Sequence, residues 1–280
     1  MSRKRRRRIR TDRLAILLVI LAVLTGSLVL FSGVLNRPKE TPVPTPTPDP
    51  RYRNDYDWSK LAVSGDIFSY DDDQYTSSWG IDVSFHQGTI DWQKAAQSGI
   101  QFAMIRVGYR GYESGILNED SQFRANMSGT AEAGVATGVY FFSSAITTAE
   151  AEEEASYVLN EIKDYVVTGP IGYDMENVGD NDRIAVLDTA QRTEIAAAFC
   201  NRIREAGYVP MIYGSSNWLQ NMIRMQDLQD DYAFWLASYH EVLKEPDFPF
   251  VFAIWQYAND GVIDGIEKPC DLNLWIRKKS

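Results

Sequence analysis

From residue 79 onward the chain shows short apolar runs of strand length at regular intervals. They fall at residues 80–84, 102–108, 135–142, 170–176, 210–213, 233–237 and 250–257. Between the early runs lie stretches with helical character. Residues 91–98 close at Gly99, 119–133 at Gly134 and 188–206 at Gly207, each a glycine where a helix end favours one. Residues 148–165 open behind Thr147 with Glu150, Glu152, Glu153 and Glu154 in the early turns, where the helix dipole favours acids. Strand–helix alternation on this scale predicts an α/β fold with a parallel sheet, most simply a β/α barrel. After Trp218 the helical signal weakens and strands follow one another closely, which predicts an incomplete barrel whose last strands lack full helices. A doubly wound open sheet is the alternative, but no glycine-rich dinucleotide loop follows the first strand.

The pattern upstream is different. Residues 14–35 carry no charge, and as a helix those 22 residues would rise about 33 Å, enough to cross a hydrocarbon core of ~30 Å. Residues 1–13 precede them with eight Lys or Arg and one acid. The positive-inside rule then predicts a single-pass anchor in the cell membrane, a cytoplasmic basic tail and an extracytoplasmic remainder. A cleaved signal peptide is the competing reading, but its apolar core is usually about 7–15 residues and ends at a small-residue site that is not evident here. Six of eleven prolines fall between Pro38 and Pro50, so residues 36–78 read as a Pro/Thr-rich stalk and polar linker, with 79–280 as the strand–helix domain. Whether 51–78, with Tyr52, Tyr56, Trp58 and Phe68, pack on that domain is open at this point.

Charge narrows the function. The chain has 28 basic and 38 acidic residues, net −10, and the basic excess is confined to the N-terminus. A domain this acidic repels phosphate backbones, so nucleic acid is not an expected partner. Two cysteines, Cys200 and Cys270, are too few for a disulfide scaffold, and two histidines argue against a His-rich metal site. No cofactor is expected, and carboxylate chemistry remains.

The acids sit where such chemistry needs them. Asp82 lies in the first apolar run, and Asp174 and Glu176 lie at the end of the fourth. Positions two apart on a strand share a face, so Asp174 and Glu176 should point together, with α-carbons about 6.5–7 Å apart. Barrel active sites form at the C-terminal ends of strands. Carboxylates there, one holding a proton for a leaving oxygen and another ionised, are the equipment of a glycosidase. Aromatic rings cover the apolar faces of sugars, and Tyr140, Tyr173, Tyr239 and Trp255, beside polar residues near strand ends, are the candidate cleft residues.

Several motifs together resemble glycoside hydrolase family 25, the Chalaropsis-type lysozymes. They run from Asp82-Val83-Ser84-Phe85-His86-Gln87-Gly88 and Ile90-Asp91-Trp92 through Phe102-Ala103-Met104-Ile105-Arg106 and Gly138-Val139-Tyr140-Phe141-Phe142. Asp174-Met175-Glu176, Trp235-Leu236-Ala237-Ser238-Tyr239, Trp255-Gln256-Tyr257 and Asp271-Leu272-Asn273 follow in order. The resemblance covers about residues 79–276. It implies an incomplete (β/α) barrel of the β5α5β3 type that cleaves the β-1,4 bond between N-acetylmuramic acid and N-acetylglucosamine in peptidoglycan. It also implies Glu176 as general acid, Asp174 orienting or polarising the substrate acetamido group, and Asp82 and Asp271 binding substrate or tuning the pair. The Pro269-Cys270 pair before Asp271 departs from the family pattern. Two other readings compete: a metal-dependent phosphodiesterase with Asp82, Asp174, Glu176 and Asp271 as oxygen ligands, and a non-catalytic glycan-binding protein on the same fold.

Overall fold

The computed structural model describes residues 50–179, 181–239, 245–246 and 248–279. The expected membrane span at 14–35 lies outside these residues, and among the described residues no helix is long and apolar enough to cross a membrane.

Eight strands close into a barrel. They are β3 (Tyr75–Val83), β4 (Phe102–Arg110), β6 (Ala136–Ser143), β7 (Ile171–Met175), β8 (Pro210–Ser215), β9 (Ala233–Ala237), β10 (Ile254–Gly261) and β11 (Cys270–Lys278). All neighbours from β3 through β10 pair parallel, while β11 runs antiparallel between β10 and β3 and shuts the ring. The first five barrel strands are each followed by a helix: α1 (Trp92–Gln97), α2 (Phe123–Ala133), α3 (Thr148–Ile162), α4 (Thr189–Glu205) and α5 (Ser216–Asn221). Among the described residues none follows the last three strands, so the described architecture is β5α5β3.

Local chemistry sets the helix starts. Asp91, Thr147, Asp188 and Ser215 each accept a backbone N–H of the first turn, and Asp188 completes a capping box with Gln191. The expected helix over 119–133 starts later, because Leu117–Glu119 forms a short strand, β5, paired back on β4. Asp120 then turns the chain by accepting the Gln122 N–H at 2.9 Å.

Two apolar cores follow from strand alternation. Outward residues such as Ile81, Ile105, Phe141, Tyr173, Ile212 and Leu274 pack beneath the helices. Inward residues, among them Phe102, Met104, Tyr140, Met211, Tyr213, Trp235 and Ile254, fill the barrel itself. At Gly80 the backbone of β4 comes so close that a Cβ would sit 2.3 Å from the Phe102 carbonyl oxygen.

The segment before the barrel answers the question left open for residues 51–78. It packs on the barrel as a strap. Its hairpin joins β1 (Leu61–Ser64) to β2 (Ile67–Tyr70), and Phe68 stacks on Tyr257 with ring centres 3.9 Å apart and planes within 4°. Trp58 lies edge-on to Trp255 at 5.7 Å, the Tyr56 hydroxyl donates to the Phe252 carbonyl at 2.6 Å, and Arg53 bridges to Phe250. The strap thus covers the wall at β10, where no helix lies among the described residues.

Candidate active site

The C-terminal ends of parallel β3 and β7, with the start of antiparallel β11, gather four carboxylates into the barrel mouth. Asp82 is the penultimate residue of β3, and β11 places Asp271 directly opposite it. Asp174 is the fourth of the five residues of β7, and Glu176 stands just beyond that strand. Beneath Asp174, Gly172 makes room for aromatic side chains: a Cβ there would lie 3.1 Å from Tyr140 Cβ and 3.5 Å from the Trp235 ring.

The carboxylates form two proton-sharing pairs. Burial, then the Glu176 and Asp82 charges, raises Asp174 well above the usual carboxylate range. Burial also raises Glu176, partly offset by hydrogen bonds with Tyr213 and Asp174. Two acids in such proximity disfavour double ionisation, so the pair holds one proton. A hydrogen bond links the two carboxyls, and Asp174 is the more buried of them. Both carboxyls of the pair are thus raised, and one hop along that hydrogen bond separates the form with the proton on Glu176 from the form with it on Asp174. Asp174 Oδ1 is buried and has no hydrogen-bond partner.

In the second pair, burial and the Asp271 charge raise Asp82, and burial pushes Asp271 up to about 6. Asp82 Oδ2 accepts from Gln256 Nε2 at 2.7 Å and from Asn273 Nδ2 at 2.8 Å. Asn273 is held in turn by Trp235 Nε1 at 2.8 Å. Gln256 Oε1 accepts from the Tyr213 hydroxyl at 2.9 Å and from the Tyr239 hydroxyl. Rigid amides thus aim Asp82, and the tyrosines tie that network to Glu176.

Of the expected cleft residues, Tyr140 and Tyr239 reach the site. Tyr140 lines the barrel interior against Trp235, and Tyr239 stands exposed at the rim. Tyr173 and Trp255 do not. Tyr173 precedes Asp174 by one residue and so faces outward, packing on Phe199 and hydrogen-bonding with Ser143 at 3.0 Å. Trp255 also faces outward, under Trp58 and Phe68, with Nε1 donating to the Ser238 carbonyl at 2.8 Å. Both are core residues of the outer layer. Sequence reasoning passed over Gln256, Asn273, Tyr213 and Arg106. Neutral amides carry no signal in composition. Arg106, however, is a charge inside an apolar strand, the same signal that marked the acids. Cys200 and Cys270 are separate buried thiols, with burial pushing Cys270 up to about 12.

A closed α/β barrel with paired, proton-sharing carboxylates over an aromatic floor defines a hydrolase of the glycosidase kind. The sequence profile of the glycosyl hydrolases family 25 matches residues 81–266, more than half of the chain, and the chain belongs to that family. Lysozyme M1 of Streptomyces globisporus is 28% identical over 202 residues, covering 69% of this chain and 66% of the relative. Among solved structures, the autolysin LytC of Streptococcus pneumoniae in complex with a synthetic peptidoglycan ligand superposes with a TM-score of 0.60 at 26% identity. That match spans 71% of this chain and 46% of LytC. The lysozyme of Streptomyces coelicolor gives a TM-score of 0.58 at 24% identity over 70% of this chain and 90% of its own.

Proposed function

We propose that the protein is a membrane-anchored muramidase that hydrolyses the β-1,4 bond between N-acetylmuramic acid and N-acetylglucosamine in peptidoglycan, in cell-wall turnover or remodelling. The observation that carries this reading is the Asp174–Glu176 pair, one proton between two inward carboxylates, with Asp174 Oδ1 buried and unpartnered. A substrate acetamido N–H supplies the partner that oxygen lacks. Accepting that N–H favours the ionised form of Asp174 and so the form of the pair with the shared proton on Glu176. Glu176, less buried and with the longer side chain, then protonates the leaving glycosidic oxygen. Asp174 stabilises positive charge developing at the acetamido group and anomeric carbon. The Asp82–Asp271 pair, fixed by Gln256 and Asn273, adds ordered negative charge and hydrogen-bonding groups to the cleft. The similarity to Lysozyme M1 and to the peptidoglycan-bound LytC structure supports the substrate assignment.

Glu176→Gln tests the chemistry. General acids typically contribute about 10²–10⁴-fold in rate, so turnover of purified peptidoglycan should fall by that order while binding survives. An activated leaving group, which needs little protonation, should restore much of the first step in Glu176→Gln but not in Asp174→Asn. Near-parental peptidoglycan hydrolysis by Glu176→Gln would assign the proton donor elsewhere. For the phosphodiesterase alternative, no three Asp, Glu, His or Cys side chains among the described residues group to hold a metal ion. Chelator should leave activity unchanged; its loss on chelation and return with Mg²⁺ or Ca²⁺ would favour that alternative.

The anchor rests on the uncharged segment 14–35 behind eight basic residues. Protease added to wall-stripped cells should remove the catalytic domain and spare the N-terminus. Full protection of the domain would place it on the other side of the membrane.

A further inference from the structure

Among the described residues, the mouth of the barrel holds one buried cation that the proposed mechanism does not use. Arg106 lies on the inward face of β4, above Phe102 and Met104, and is only 9% exposed. Its Nε donates to Asp120 Oδ2 at 2.8 Å. Asp120 is itself fixed by the backbone N–H groups of Phe85 at 3.0 Å and Gln122 at 2.9 Å. The guanidinium carbon stands 4.9 Å from the centre of the Phe85 ring and 5.6 Å from that of Tyr109. Ser84 caps the turn that carries Phe85, in a capping box with Gln87. Asp120 and the two rings therefore hold the guanidinium in place. Its Nη2 is buried and has no partner. An unsatisfied buried donor is costly, and a clamped one cannot swing out to water, so such an atom suits an acceptor that arrives with the ligand.

The chemistry of that acceptor is restricted. Guanidinium offers donors only, and it suits carboxylate or carbonyl oxygens. Asp174 Oδ1 is the complementary orphan, an acceptor without a donor in the same mouth. The Arg106 charge acts on both Asp174 and Tyr140. An acetamido group occurs on every ring of the alternating glycan and supplies the N–H for Asp174. The lactyl ether occurs on every second ring, on the carbon next to the one bearing the acetamido group. It ends in a carboxyl-derived oxygen, free or in amide linkage to the stem peptide.

We propose that Arg106 Nη2 donates a hydrogen bond to the lactyl carboxyl or carbonyl oxygen of the muramic acid ring, making Arg106 the residue that separates muramic-acid glycans from chitin-like ones. This assignment rests on the muramidase reading, and its test keeps the two apart. The full-length chain carrying Glu176→Gln binds without turnover. It is titrated calorimetrically with a peptide-free tetrasaccharide of alternating N-acetylglucosamine and N-acetylmuramic acid, and with chitotetraose. Hydrogen bonds to charged groups predict a preference for the muramyl ligand of roughly 10- to 100-fold. Adding Arg106→Gln should abolish that preference and leave chitotetraose affinity within about twofold. Glutamine can still donate to Asp120, and Asp120 keeps its two backbone donors, so the fold should persist. A matched tetrasaccharide with lactyl groups amidated by L-alanine tells which form is read: a larger Arg106 effect on the free acid marks the carboxylate, an equal effect the carbonyl. Retention of the preference in Arg106→Gln overturns the assignment, and so does an equal loss for both glycans, which would mark a structural role. If Glu176→Gln with Arg106 intact binds neither glycan, the muramidase reading itself fails.

Discussion

Phe68→Ala should destabilise the whole barrel, although Phe68 lies outside it. The ring is 4% exposed, stacks on Tyr257 at 3.9 Å and meets the edge of Trp255 at 5.6 Å. Tyr257 is also fixed by its hydroxyl, which accepts from Trp79 Nε1 at 2.6 Å and donates to the Asp66 carbonyl at 2.6 Å. Truncating a buried phenylalanine costs about 3–5 kcal/mol in transfer and cavity terms. That is a large share of the roughly 5–15 kcal/mol that holds a typical domain. In a domain of this size each kcal/mol shifts the melting temperature by about 2–4 °C, so Phe68→Ala should melt roughly 6–20 °C below the parent. Ser69→Ala, next in sequence and exposed on the other face of β2, is the control and should stay within about 0.5 kcal/mol. Thermal unfolding of the full-length chain, followed by near-ultraviolet circular dichroism, reads both. A Phe68→Ala melting curve within about 2 °C of the parent would show that the strap does not share the cooperative core.

Three further outcomes follow from the structure. Cys200→Ala with Cys270→Ala should fold and keep most activity, because the thiols are separate and buried; identical destabilisation of the parent by reducing agent would instead reveal a disulfide. Asp271 is raised by burial, and by the Glu176 charge, to about 6 in the folded chain, against 3.8 for an unperturbed group. The folded state therefore binds more protons between those values, so this group makes stability fall as pH rises from about 4 to about 6. Asp271→Asn should flatten that slope in urea unfolding, and an unchanged slope would refute the assignment. Gln256→Leu removes a donor to Asp82 and the acceptor of Tyr213 and Tyr239. It should lower kcat with little loss of fold, measured as peptidoglycan turnover against melting temperature; unchanged kcat would remove the network from the mechanism.

The strand–helix rhythm was legible through β8 because the helices there carry a cap or a stop signal, such as Asp188 and Gly207 around α4 and Gly134 after α2. It faded where those signals end. The three-residue β5 is too short to show an alternation and looks like loop, and the polar-ended β11 looks like tail because its partner β3 is distant in sequence. The acids were legible because a carboxylate in an apolar strand is costly unless it has a task. The parity that put Asp174 and Glu176 on one face also puts Tyr173 on the other, so that residue's outward position was available from spacing alone. The position of Trp255 was not, because its parity is set by the β9–β10 register. Gln256 and Asn273 gain meaning only when β10 and β11 lie side by side and both amides converge on Asp82. The strap's aromatics read as part of a polar linker, because they need the bare wall of β10 to become core.

The central claim is that this barrel cleaves glycan strands at muramic acid with Glu176 as acid. Its most direct test is mass spectrometry of the products released from purified peptidoglycan by the full-length protein, after borohydride reduction, beside the Glu176→Gln variant. The account predicts fragments ending in reduced N-acetylmuramic acid from the parent and almost none from Glu176→Gln. Fragments ending in reduced N-acetylglucosamine, or equal release by both proteins, would contradict it.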